Sequence, residues 1–211
     1  MTAVGNERSA SVGLMLLAAG ASSRLGQPKQ LVQFQGKSLL RRAAEAAVAS
    51  GCHPIIVVTG ALHSELLPEL EALPVAAVPN PQWQEGMSSS IRAGLAALEA
   101  QTASGALGAV VVMLCDQPFV NELIIKGLVD GFDSAKVPAV ASAYGGRVGV
   151  PALFGQQLFP ALRTLAGPEG ARDLLRQHAA DLLRVPFPEG AIDVDTPEQY
   201  RQLLQQAAPP Q

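Results

Sequence analysis

The stretch LLAAGASSRLGQPKQL, residues 16–31, leaves an apolar run through a loop with almost no side-chain bulk. Residues 13–18 read as a buried strand, because the run is short, apolar and followed by small turn residues. Then come Ala19, Gly20, Ala21, Ser22, Ser23, Arg24, a second glycine and Pro28-Lys29. Small side chains leave backbone N–H groups able to converge on an anion, and Arg24 and Lys29 can reach over it. The loop is neither a Walker A sequence nor the dinucleotide-binding G-x-G-x-x-G. Alone it reads equally as a turn or as an anion seat.

Working outward, apolar runs recur at 54–59, 75–79 and 109–114, with further strand candidates at 137–141 and 191–194. Helical spacing fills 38–51, 62–73, 87–100 and 121–132, and Ser38 and Gly51 bracket the first of these. Strands alternating with helices predict βαβ units and a mostly parallel sheet. Near-continuous apolar strands such as AVVVML (109–114) suit a sheet covered on both faces. The expectation is one α/β domain in three layers over 1–211, with flexible ends at 1–11 and 206–211. Ligands of such sheets bind at the carboxyl ends of the strands.

Three more strand ends carry polar groups. Asp116 follows the 109–114 run, where a carboxylate is costly unless solvated, paired or metal-bound. It reads either as a Mg²⁺ ligand, since Mg²⁺ takes one or two carboxylates plus phosphate oxygens, or as the cap of the next helix. In AIDVDTPEQY (191–200), Asp193 and Asp195 alternate on the expected strand, so only one would face Asp116. NPQWQEGMSSSIRAGL (80–95) places Gly86 and Ser90 at a serine-rich helix start, suited to a base or sugar, or simply to capping. Together the four ends fit a nucleotide with Mg²⁺ better than four unrelated turns.

Composition is consistent with this. Hydrophobic residues make up 48% and charged residues 16% of 211, a globular balance. A net charge of −3 without basic clusters argues against nucleic acid as the main ligand. The apolar segment at 12–19 is too short to span a bilayer, so no membrane role is expected and a cytoplasmic location is. Cys52 and Cys115 lack metal or C-x-x-C spacing and read as buried reduced thiols.

These motifs resemble those of the MobA-like nucleotidyltransferases, and within them the molybdenum cofactor cytidylyltransferase (MocA-type) branch. Residues 16–31 match that branch's L-A-A-G-x-S-x-R-x-G-x-x-K signature; CDQP, GMSSSIRAGL and IDVDTPEQY match three more in order, so the likeness spans nearly the whole chain. The resemblance implies a Rossmann-like α/β/α sandwich of the nucleotide-diphospho-sugar transferase type. It also implies transfer of CMP from CTP to the terminal phosphate of a molybdopterin acceptor, with Mg²⁺, releasing pyrophosphate. Carried over by position, residues Ala18 to Arg24 hold the triphosphate with Lys29, Gly86 and Ser90 lie near the base, and Asp116 and Asp195 hold the metal. Arg24, Lys29 and Asp116 are the implied catalytic residues. Two departures fall on the acceptor side, GRVGVP (146–151) for G-R-R-G-H-P and GPEGAR (167–172) for G-D-K-G-A-R; there Arg147 and Arg172 are the acceptor-phosphate candidates. Alternatives are GTP as donor, another phosphorylated acceptor, or a carrier that delivers the cofactor to a molybdenum hydroxylase client without turnover.

Overall fold

The computed structural model describes residues 11–20, 25–103, 106–168 and 170–206. The strands are β1 (Ser11–Ala18), β2 (Gln33–Phe34), β3 (Lys37–Ser38), β4 (Ile55–Thr59), β5 (Ala76–Pro79), β6 (Leu107–Leu114), β7 (Ala139–Tyr144), β8 (Arg147–Gly155) and β9 (Leu183–Pro186). Seven of them form one sheet in the order β5-β4-β1-β6-β8-β7-β9, and β2 and β3 form a small hairpin. The pairs β1/β4, β4/β5, β1/β6 and β7/β9 are parallel, while β8 runs against both β6 and β7.

Period-2 alternation explains the layering. Along β1, Leu14 and Leu16 enter one core while Met15 and Leu17 enter the other. The first core holds Leu40 and Ala44 of α1 (Leu39–Ala49) and Ile125 and Leu128 of α4 (Glu122–Ala135). The second holds Ile91 and Leu95 of α3 (Met87–Gln101). The three-layer, mostly parallel architecture therefore follows from strands that are apolar on both faces.

Two local expectations are corrected. The helix expected at 62–73 is only α2 (His63–Leu66) followed by a 3-10 turn at Leu67–Leu70. Pro68 lacks an N–H for the ladder, which ends α-helical geometry there. The strand expected at 191–194 does not form: a 3-10 turn covers Pro188–Ala191, and residues 192–196 carry no regular structure. Gln199, on α7 (Pro197–Gln206), wraps that segment instead. Its Oε1 accepts from the N–H groups of Asp195 and Thr196, and its Nε2 donates to Asp193 Oδ1 at 2.8 Å. The ends expected to be flexible lie outside the described residues, except Ser11, which opens β1, and Gln206, which closes α7.

A third, smaller core joins the hairpin to the C-terminal segment. Val32, Phe34 and Leu39 pack with Val194 and Leu203. The Val194 N–H also donates to the Asp116 carbonyl at 3.0 Å, tying residues 193–195 to the end of β6. No helix among the described residues is long and apolar enough to cross a membrane.

Candidate active site

The carboxyl ends of β1 and β6 lie side by side at the centre of the sheet, where the strand order reverses direction. Ala18 and Ala19 are buried as the chain leaves β1, and Gly20 is exposed. Gln30 holds this turn from beneath: its Nε2 donates to the carbonyls of Ala18 and Gly20 at 2.9 and 2.7 Å. Gly60, after β4, makes room for it, since a Cβ there would sit 2.4 Å from the Ala19 carbonyl oxygen. Ala21, Ser22, Ser23 and Arg24 lie outside the described residues.

Lys29 opens a 3-10 turn (Lys29–Leu31) directly after Pro28. Its Nζ lies 2.5 Å from Asp116 Oδ2 and 2.9 Å from Asp195 Oδ1. Burial opposes the charge on Lys29, but the Asp116 carboxylate beside it, with the bond to Asp195, outweighs that and holds the ammonium above the ordinary lysine range. Lys29 is therefore a fixed cation at neutral pH and no proton acceptor. Asp116 is 8% exposed, and its Oδ1 has no hydrogen-bond partner among the described residues. It does not cap the following helix; Asn121 does, accepting from the N–H groups of Leu123 and Ile124.

Asp116 forms part of the wall between two cavities. One, of about 300 Å³, is bounded by Ala18–Gly20, Lys29, Trp83, Gly86 and Ser90. The other, of about 130 Å³, is bounded by Gln117, Tyr144, Arg147, Arg172 and Asp193. Of the residues singled out from sequence, Ala18, Ala19, Gly20, Lys29, Gly86 and Ser90 thus share the first cavity, Arg147 and Arg172 share the second, and Asp116 borders both. Asp195 joins them through Lys29. Asp193 borders the second cavity, so both aspartates of the pair lie at the site rather than one alone; burial raises the Asp193 pKa, as do the charges of Asp195 and Asp116. The expectation of opposite faces fails because no strand forms there.

The serine-rich helix start is largely occupied with itself. Asn80 Nδ2 donates to the Ser89 and Ser90 hydroxyls, and Ser89 donates back to the carbonyls of Gln82 and Gly86. Gly86 has φ +101° and ψ −173°, a region essentially confined to glycine, and a Cβ there would lie 2.9 Å from Pro168 Cα. Gly86→Ala should therefore cost about 1–3 kcal/mol. A urea unfolding midpoint equal to that of the wild type would refute the strain.

Sequence reading missed Gln30, Trp83, Gln117 and Tyr144. Gln117 ties three segments together, its Nε2 donating to the carbonyls of Val150 and Gly190 at 3.1 and 3.0 Å. Its place inside CDQP was the available signal; Gln30, next to Lys29, offered a similar one. Both cysteines are free and buried, and burial pushes the Cys115 thiol up to about 12.

The described residues hold no group of three or more His, Cys, Asp or Glu side chains able to enclose a metal. What they do hold suits a hard divalent cation: two carboxylates, Asp116 and Asp195, meet at Lys29, and one of them keeps a buried oxygen with no partner among the described residues.

A mostly parallel sheet of this order, layered between helices, is the Rossmann-like fold of the nucleotide-sugar transferases. The chain belongs to the MobA-like NTP transferase domain family, whose model matches residues 14–182. It is 35% identical over 199 residues to nicotine blue oxidoreductase of Paenarthrobacter nicotinovorans, covering 90% of this chain and 95% of that protein. It is 27% identical over 191 residues to a probable molybdenum cofactor guanylyltransferase of Nostoc, covering 87% and 86% respectively. The crystal structure of Rv0371c from Mycobacterium tuberculosis superposes with a TM-score of 0.77 at 27% identity, covering 93% of this chain and 98% of that one. Rv0371c has also been solved in complex with manganese, at a TM-score of 0.74 and 25% identity, covering 93% and 100%.

Proposed function

We propose that the protein transfers CMP from CTP to the terminal phosphate of a molybdopterin-type acceptor and releases pyrophosphate. The observation that carries this reading is Lys29 bridging Asp116 and Asp195 where two cavities meet. The larger cavity, floored by Ala18–Gly20, takes the nucleotide. The smaller, with Arg147 and Arg172 on its wall, takes the acceptor phosphate. An acceptor oxygen attacks the α-phosphorus in line; the new P–O bond forms as the bond to the β-phosphate oxygen breaks, and that electron pair leaves with pyrophosphate. Transfer of this kind rests on positioning and charge neutralisation.

Asp116 and Asp195 would hold Mg²⁺, which when bound neutralises phosphate charge. Lys29, fully protonated, stabilises the leaving pyrophosphate together with Arg24 and the loop amides. The acceptor phosphate arrives ionised, so no side chain need remove a proton. In support, no histidine lies in either cavity lining among the described residues.

The choice of CTP rests on the small, apolar floor of buried Ala18 and Ala19, which suits a pyrimidine read at close range by backbone groups. A site built to hydrogen-bond one base rejects another strongly, so kcat/KM for CTP should exceed that for GTP or ATP by about tenfold or more. The test measures pyrophosphate released with Mg²⁺, molybdenum cofactor and each NTP in turn. A preference for GTP would overturn the cytidylyl choice and leave nucleotidyl transfer standing. Binding of the cofactor without turnover by any NTP would favour a carrier that serves a molybdenum hydroxylase.

A second reading, electron transfer between small molecules in the same cleft, rests on the 35% identity to nicotine blue oxidoreductase. Hydride transfer has no use for the Asp116–Asp195 pair. If Asp116→Asn left a reduced-nicotinamide oxidation assay unaffected while pyrophosphate release was absent in the wild type, this reading would replace the first.

A further inference from the structure

Beyond the smaller cavity the surface opens into a groove of about 720 Å³ that shares Tyr144, Arg147 and Arg172 with it. Two more arginines, Arg176 and Arg184, complete the groove, and among the described residues its lining holds no carboxylate. Four of the chain's 15 basic residues thus meet in one place on a protein whose net charge is −3.

Each arginine is placed by a different local rule. Arg147 follows the Gly145-Gly146 turn, whose φ values of +55° and +72° match a tight primed hairpin turn between β7 and β8. Its guanidinium lies 5.5 Å from the centre of the Tyr144 ring. Arg172 and Arg176 stand one turn apart on α6 (Arg172–Gln177), a like-charge spacing that destabilises an isolated helix. Asp173 offsets this in part, accepting from Arg176 at 3.0 Å, but both side chains of that pair are exposed. Arg184 sits on the edge strand β9, where its Nη2 donates to the Ala179 carbonyl at 2.8 Å. Arg147, Arg176 and Arg184 each have part of the guanidinium engaged with protein, which limits their freedom before any ligand arrives and lowers the ordering cost of binding one.

We propose that this groove is a second anion subsite, so that the acceptor carries an acidic group remote from its reacting phosphate. The phosphate enters the cavity beside Asp116, past Arg147 and Arg172, and the distal anion rests against Arg176 and Arg184. The inference rests on the smaller cavity being the acceptor's. Its substance is a substrate class: an acceptor anionic at both ends rather than a simple monophosphate. A concentrated positive field at the mouth would also draw such a molecule in from solution.

The probes are alkanediol bisphosphates of graded length and the matching alkanol monophosphates, titrated calorimetrically into the full chain. At least one bisphosphate should bind the wild type about tenfold or more tightly than its monophosphate, the gain of a second charge-assisted contact. In R176Q/R184Q that advantage should vanish, with the melting temperature and CTP affinity retained as evidence that the fold is intact. Single variants R176Q and R184Q serve if the double variant is unstable; each should lose part of the advantage. Equal binding of both probe types at every length, or an advantage that survives the substitutions, would overturn the subsite. Binding is read here without turnover, so failure of every NTP to yield pyrophosphate would sink the transferase reading and leave this result as it stands.

Discussion

Alanine at position 29 is expected to lower kcat by about 10²–10³, the usual effect of removing one preorganised charge from a transferring phosphoryl group. Lys29 is the only basic side chain among the described residues bordering the larger cavity. It also neutralises two carboxylates, so its loss should register in stability. Breaking a buried pair costs about 3–5 kcal/mol when the remaining charge is stranded. Here the side chains of Lys29, Asp116 and Asp195 retain 17%, 11% and 25% exposure, so water takes up part of that cost. A loss of about 1–2 kcal/mol follows, or several degrees of melting temperature for a chain of this size. Added Mg²⁺ should restore much of it in the variant, by supplying the missing positive charge. Melting curves in chelator and in Mg²⁺, alongside steady-state rates, check both parts. Wild-type kcat in a folded variant would make Lys29 a structural counter-charge only.

Asparagine at position 116 should have an equal or greater effect, reducing pyrophosphate release by about 10³ or to background, because a neutral amide cannot replace a carboxylate on a hard divalent ion. The substitution preserves shape and removes charge alone. Its partner test is Asp195→Asn against Asp193→Asn. Asp195 accepts from Lys29, whereas Asp193 accepts from the Gln199 amide, a donor that serves a neutral acceptor equally well. The larger loss should fall at 195. A greater loss at 193 would reverse the assignment of the second carboxylate.

Much of the fold was legible in the sequence because the central strands are apolar on both faces: β1, β4, β5 and β6 stand where continuous runs of Val, Ile, Leu and Ala predict them. In the far half of the sheet only β7 was, from the run at 137–141. Within β8, Gly149 and Pro151 leave no apolar period to read, and a Cβ at 149 would lie 2.2 Å from the Tyr144 hydroxyl. In β9 only four residues form the strand, too few to show a period. Residues 191–194 imitate a strand because Ile192 and Val194 alternate with polar neighbours, but Val194 is apolar to fill the small core beside Phe34. Among the site residues, charged and glycine positions in the motifs could be named in advance, whereas Gln30 and Gln117 stood inside the same motifs with their roles unread. Their work is done by amide groups that hold backbone carbonyls of distant segments, and no local pattern announces such a partner.

The match to the family model stops at residue 182, short of Asp195. Lys29 nevertheless needs that carboxylate, and the hairpin that follows Lys29 needs Val194 and Leu203 to cover Phe34 and Leu39. A segment excised along the boundaries of the match would leave the lysine with one carboxylate and bare an apolar face to water. The smallest transplantable unit therefore reaches through the wrapped turn and α7: chemistry, rather than likeness, draws its outer border.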